Sequence, residues 1–207
     1  MKNLLFILLG SFICVTTFFQ VPAVAQEPKD ILAIEAYDML NTLPDTYLID
    51  IRTRAEYQFI GHPPIAYLFP YMFMSDTLAK KGESWIYQFT KNNSFVEQIS
   101  KTFQKTNNLL IICRDGTRSI LAARELIKNG FKNVYNVKHG FEGPPFPCFE
   151  DENLHKFYRQ LAKRHKIPVY NHRRFYGWQG WGLPWTYDID TKYIYPPDKT
   201  PKEEKKK

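Results

Sequence analysis

Cysteine is scarce in this chain, three residues in 207, and one of them, Cys14, lies in an apolar N-terminal run. No internal repeat and no Gly-rich nucleotide loop is visible, which excludes solenoids and phosphate-loop enzymes. His155, His165 and His172 stand ten and seven residues apart, with no cysteine or carboxylate cluster at ligand spacing, so neither a metal site nor a cofactor is expected. The apolar run from Leu4 to about Phe19 falls short of the roughly 20 residues a spanning helix wants. What is abundant is core material. Aromatic residues make up 16% and hydrophobic residues 44%, which excludes global disorder.

Lys2, the apolar run and Ala23-Val24-Ala25 together read as a secretory signal peptide over residues 1–25, cleaved near Ala25. A retained membrane anchor is the alternative. The residues before Cys14 are too bulky for a bacterial lipoprotein site. An exported, periplasmic chain of residues 26–207 is the expectation, a length suited to one domain with extensions. The net charge is +7, or +6 once Lys2 is removed. Such a surplus suits nucleic acid, anionic lipid or small anions. Export argues against nucleic acid, and the basic residues are concentrated late in the chain. Export would also put Cys113 and Cys148 in an oxidising compartment, where a structural disulfide is the default and geometry decides.

Residues 45–51, DTYLIDI, and 108–113, NLLIIC, read as buried strands, and 132–137, KNVYNV, as a third. Helices are predicted where Ala36, Met39, Leu40 and Leu43 recur, and where Val96, Ile99 and Phe103 do. Ser94 and Glu97 form an S-x-x-E capping box before the second. Ile120, Ala123, Leu126 and Ile127 form the apolar stripe of another helix, with Arg124, Glu125 and Lys128 facing water and Gly130 as its stop. Strand, helix, strand within about thirty residues implies a parallel sheet, hence an α/β core. A basic amphipathic helix follows at 154–166, then an aromatic, Gly-rich stretch and a charged tail. Residues 30–145 are assigned to the domain, 146–195 to an extension packing on it, and 196–207 to a disordered basic tail.

Cys113 ends a strand, and the loop Arg114-Asp115-Gly116-Thr117-Arg118-Ser119 turns into a helix N-terminus. Loop amides curling round the sulfur, the helix dipole and Arg118, with Arg114 beside it, all favour the nucleophilic thiolate. Gly116 frees the loop from a Cβ. An inert core cysteine is the alternative that spacing alone leaves open. The run CRDGTRS resembles the active-site loop of rhodanese-like sulfurtransferases, roughly Cys-Arg-x-Gly-x-Arg-Ser. LIDIRTRAEYQFIGHPPIAYLFPY, residues 48–71, resembles that family's earlier signature, with Asp50, Arg52, Glu56, Tyr57, Gly61, His62, Pro64, Ala66 and Pro70 at matching positions. Pro63 and Ile65 depart from it, in a connecting turn. GFEGPPFP follows the last strand much as the family's Gly-Phe element does, and GWQGWGLPW resembles the ending of some exported members.

The resemblance implies a central, mostly parallel sheet flanked by helices and a sulfur relay. Cys113 would attack the outer sulfur of a donor such as thiosulfate, become a persulfide, and pass that sulfur to a thiol or protein acceptor. Residues 114–119 would bind the anionic donor, Arg118 orienting it and Arg114 assisting. Asp50, Arg52 and Glu56 would support the site, the carboxylates tying down arginines. The Cys-x4-Arg spacing favours sulfur over the phosphate or arsenate handled by relatives with Cys-x5-Arg. His62 reads as a turn residue rather than a general base. Two alternatives stand: a non-catalytic binding module, and a thiol-disulfide protein using Cys113 with Cys148. The basic helix is expected to pack Leu154, Phe157 and Leu161 back on the domain rather than touch a membrane, and Trp178, Trp181 and Trp185 to anchor the extension.

Overall fold

The computed structural model describes residues 26–199; the segment read as a signal peptide and the end of the tail lie outside the described residues. Five parallel strands form the central sheet: β1 (Lys29–Ile31), β2 (Thr46–Asp50), β3 (Tyr67–Leu68), β6 (Asn108–Ile112) and β7 (Asn133–Val137). Their order is β1-β7-β6-β2-β3, and every pairing is parallel. Leu48, Leu110 and Ile112 point to one face, where Ala33 and Ala36 of α1 (Ala33–Thr42) meet them. Ile49, Leu109 and Ile111 point to the other, under α3 (Phe95–Thr102) and α4 (Thr117–Lys128). Alternate side chains thus serve two separate cores, which is why β2 and β6 read as continuous apolar runs.

Helix starts differ from expectation at one place. Ser94 makes no side-chain cap, and its own N–H donates to Asn92 Oδ1 at 3.1 Å. The capping box forms instead at α2 (Arg54–Phe59), where the Thr53 hydroxyl accepts from the Glu56 N–H and Glu56 accepts from the Thr53 N–H at 2.9 Å. The α4 helix stops at Gly130, whose φ of +89° lets Phe131 N–H reach the Leu126 carbonyl. Its Glu125 side chain is 26% exposed, pairs with Lys91 and accepts from the Tyr71 hydroxyl at 2.8 Å, so it does not simply face water.

Residues 72–91 form an element that period and composition did not flag: a two-stranded antiparallel arm, β4 (Met72–Lys81) and β5 (Ser84–Lys91), separate from the main sheet. Beyond β7 the chain reaches α5 (Glu152–Arg164) and then runs back as a strap. Trp178 and Leu183 enter one core and Tyr195 the other. Thr186 pairs with His62 through backbone bonds of 2.8 and 2.9 Å. Residues Pro196–Lys199 form a 3-10 turn held by Asp198 on Arg54, so the tail does not begin at 196. Two further expectations fail. Leu154 and Phe157 are exposed rather than packed back, because α5 turns Ala162 inward instead, and Trp181 is about half exposed while Trp178 alone is fully buried.

Candidate active site

Strand β6 ends one residue before Cys113, and Gly116, at φ +93°, turns the chain directly into α4. A side chain at Gly116 would also press on the His139 backbone nitrogen at 3.0 Å. The turn brings the Gly116 N–H to 3.2 Å from Cys113 Sγ and the Ser119 hydroxyl to 3.3 Å. The sulfur therefore sits at the N-terminus of a twelve-residue helix with the Gly116 N–H on it and the Ser119 hydroxyl shared between it and the Gly116 carbonyl at 3.1 Å, an arrangement that stabilises negative charge. Cys113 is fully buried beneath this loop.

The loop's own side chains divide their work. Asp115 accepts from the Thr117 hydroxyl at 2.7 Å and from the Thr117 N–H, which stiffens the turn. Burial acts to raise the Asp115 carboxyl, but the bonds from Thr117 and the nearby arginines hold it below the usual range. Arg118 does not reach freely into solvent. It forms a two-pronged pair with Glu56, Nη1 to Oε2 at 2.9 Å and Nη2 to Oε1 at 2.5 Å. Burial works against a charged Glu56, yet the Arg118 bonds and charge outweigh it and bring the carboxyl down to about 2. Arg118 is raised in turn, its desolvation outweighed by the same pair. Arg114 is the exposed cation of the loop, 3.7 Å from Asp115.

Asp50 and Arg52 lie deeper, both fully buried and joined through three side-chain bonds, with Arg52 also donating to the Gly61 carbonyl at 2.7 Å. Asp50 thus ties down Arg52, not a loop arginine. Arg52 lies over the Phe141 ring at 4.2 Å, which positions residue 141 behind the cysteine loop. Phe141 N–H donates to the Cys113 carbonyl and Glu142 N–H to that of Arg114. His62 is buried, stacked on Tyr57 with its Nδ1 at 2.9 Å from the Tyr57 carbonyl, and packs rather than faces the loop.

Three contributors escaped sequence reading. A cavity of about 220 Å³ above the loop is lined by Glu56, Arg114, Asp115, Thr117 and Arg118, but also by Met72 and Phe89 from the β4–β5 arm. Arg173, from the strap, donates to Asp115 Oδ2 at 3.3 Å and to the Gly143 carbonyl at 2.7 Å. No local signal marks these residues, since only the tertiary path of arm and strap brings them here. Cys148 stands apart. Among the described residues Cys113 and Cys148 are both free, and burial, partly offset by Arg159, pushes the Cys148 thiol up. No group of three or more metal-ligating side chains occurs among the described residues.

A Rickettsia rickettsii protein named only as an RP600 homolog is 33% identical over 115 residues, covering 56% of this chain and 85% of that one. Thiosulfate sulfurtransferase 16, chloroplastic, of Arabidopsis thaliana is 32% identical over 114 residues, covering 55% and 84%. The crystal structure of Rv0390 from M. tuberculosis superposes with a TM-score of 0.55 at 26% identity, covering 79% of this chain and all of that one. The rhodanese-like domain family matches residues 32–143, the span that carries the parallel sheet, the cysteine loop and its carboxylate partners, and the chain belongs to that family.

Proposed function

We propose that the protein is a sulfurtransferase that relays a sulfane sulfur through Cys113. The observation that carries this reading is the pair of donors on Cys113 Sγ, from Gly116 N–H and Ser119 Oγ, at the start of α4. The likeness to a thiosulfate sulfurtransferase supports it. With thiosulfate as donor, the Cys113 thiolate attacks the outer sulfur. A new S–S bond forms, the bond to the sulfonate sulfur breaks, and sulfite leaves with its electron pair. An acceptor thiolate then attacks the terminal sulfur and returns Cys113 as thiolate. The loop donors stabilise the charge on the sulfur in both states.

Arg114 is the residue assigned to the incoming anion, because it is exposed at the cavity while Arg118 is engaged by Glu56. The Arg118–Glu56 pair sets the wall of the cavity, and Asp115 with Thr117 shapes the loop. Asp50 and Arg52 act further back, Arg52 holding Phe141, whose N–H donates to the Cys113 carbonyl. The signal-peptide reading would place this relay in an exported compartment. A second reading, a binding module without turnover, draws on the full burial of the sulfur.

Intact mass after incubation with thiosulfate separates the two. The relay predicts a gain of one sulfur atom in wild type and Cys148→Ser and none in Cys113→Ser. A reduced wild type that gains no sulfur sinks the thiosulfate relay. Loss of two hydrogens that needs both cysteines indicates disulfide chemistry instead.

A further inference from the structure

From residue 153 to 187 the chain has no acidic side chain but seven basic ones. The α5 helix occupies the first part of this interval. Leu154, Phe157, Tyr158 and Leu161 recur there at intervals of three and four, which places them on one face. Most of that face is left to solvent: Phe157 is 58% exposed and Leu154 49%, while Tyr158, at 41%, stacks on Phe149 and Leu161 is half-buried. The inward side is held instead by Ala162 and by Arg159, which donates to Asn171 Oδ1 at 3.0 Å and lies over the Tyr170 ring. The exposed stripe continues into an apolar groove of about 380 Å³ walled by Phe146, Phe149, Tyr158, Leu161 and Ile167.

Of the seven cations of the interval, Arg159 and Arg173 are engaged by the fold, Arg173 by Asp115. Lys156 pairs with Glu152 on the same helix, whereas Lys163, Arg164 and Lys166 have no acidic partner among the described residues. Further along the same interval Trp181 and Tyr187 are also exposed, at 48% and 53%. Exposed aromatics and leucine beside unpaired lysine and arginine are the composition of helices that lie in a membrane interface.

We propose that this face of α5 docks on an anionic phospholipid surface, its apolar stripe entering the headgroup boundary while Arg164, which flanks the stripe, and Lys166, just past the helix end, meet the phosphates. A lipid surface is favoured over a protein partner because the positive bias is unbroken over the whole interval. It calls for a negative field of similar extent rather than a few matched carboxylates. The sulfur chemistry at Cys113 is independent of this docking.

Hydrogen exchange of the full-length protein, followed in α5 by mass spectrometry, tests it locally. Attachment through the apolar N-terminal run leaves that local readout unaffected. Vesicles of equal parts phosphatidylcholine and phosphatidylglycerol are expected to slow exchange across α5, and phosphatidylcholine alone to leave it unchanged. In Arg164→Gln/Lys166→Gln the lipid concentration for half-protection should rise roughly thirtyfold, about fivefold per charge removed. Leu154→Ser/Phe157→Ser should lose the protection while sulfur uptake and folding stay as in wild type, both residues being exposed. Trp85→Ser, on the arm, should change nothing. Equal exchange with both vesicle types overturns the proposal. So does protection that appears without lipid as protein concentration rises, which would mark the face as a contact between copies.

Discussion

Glu56 joins three parts of the site through one carboxylate. It caps α2 by accepting from Thr53, closes a two-pronged pair with Arg118, and lines the cavity over the cysteine loop. Its carboxyl lies at about 2 against a usual 4.5, because the contacts with Arg118 outweigh burial. A folded-state value below the unfolded one means the stabilisation is present in full above about pH 4.5 and is lost as pH falls toward 2. The difference corresponds to on the order of 3 kcal/mol for this largely buried group. Glu56→Gln should therefore lower stability by about that much at neutral pH, as read by urea unfolding. The gap from wild type should narrow below pH 4.5. A gap that stays constant with pH would mean the glutamate acts through its shape and not its charge.

The cysteine loop rests on the segment that follows β7, and Gly140 is where the two backbones touch. A Cβ there would stand 2.4 Å from the Cys113 carbonyl oxygen and 2.7 Å from the Asp115 nitrogen, and φ is +59°. Backbone atoms cannot swing aside as a long side chain can. Gly140→Ala is expected to cost about 3 kcal/mol or more and to abolish sulfur uptake. Gly82, at the same φ in the turn of the arm, has nothing within 4 Å. Gly82→Ala should cost only about 1 kcal/mol, the conformational part alone. Thermal melts of the two variants make the comparison, and equal losses would argue against the close crossing. The arm itself carries Met74 opposite Phe89 and Leu78 opposite Tyr87 on one exposed face. A lone two-stranded ribbon is marginally stable, so its conformation depends on its base, where Asn92 donates to the Pro70 carbonyl at 2.8 Å.

The strap ties the molecule together outside the family span. Trp178 fills the core beside Phe141 and Leu183 and donates from its indole to the Pro184 carbonyl at 2.9 Å, while Gly177 lets the strap cross close to residues 140–143. Since residues 140–143 in turn hold the cysteine loop, the extension supports the site through one intermediate layer. Trp178→Ala is expected to cost about 3–5 kcal/mol, read by denaturant unfolding, and to weaken sulfur uptake although the indole does not line the cavity. Full uptake in a variant destabilised to that degree would show that strap and loop are uncoupled.

Local pattern in the sequence was enough for the parallel core, because β2 and β6 are apolar on both faces and α4 carries its own stripe and stop. It was enough as well to end a strand at Cys113 and start a helix within seven residues, whereas spacing alone left an inert cysteine open and the role of the loop rested on the family resemblance of CRDGTRS. The capping box was legible but ambiguous: Ser94/Glu97 and Thr53/Glu56 share one spacing, and only the second places its acid where Arg118 can hold it. Other features were decided by the tertiary path alone. Arg173 reaches Asp115 across 58 residues of chain, and Met72 and Phe89 reach the cavity because the arm folds over it. Arg118 turns to Glu56 rather than to solvent because α2 happens to end its first turn there. An amphipathic period shows that α5 has an apolar side, but not which side the rest of the molecule covers. That depends on the space left beside residues 145–171, and Ala162 with Arg159 fills it in place of Leu154 and Phe157.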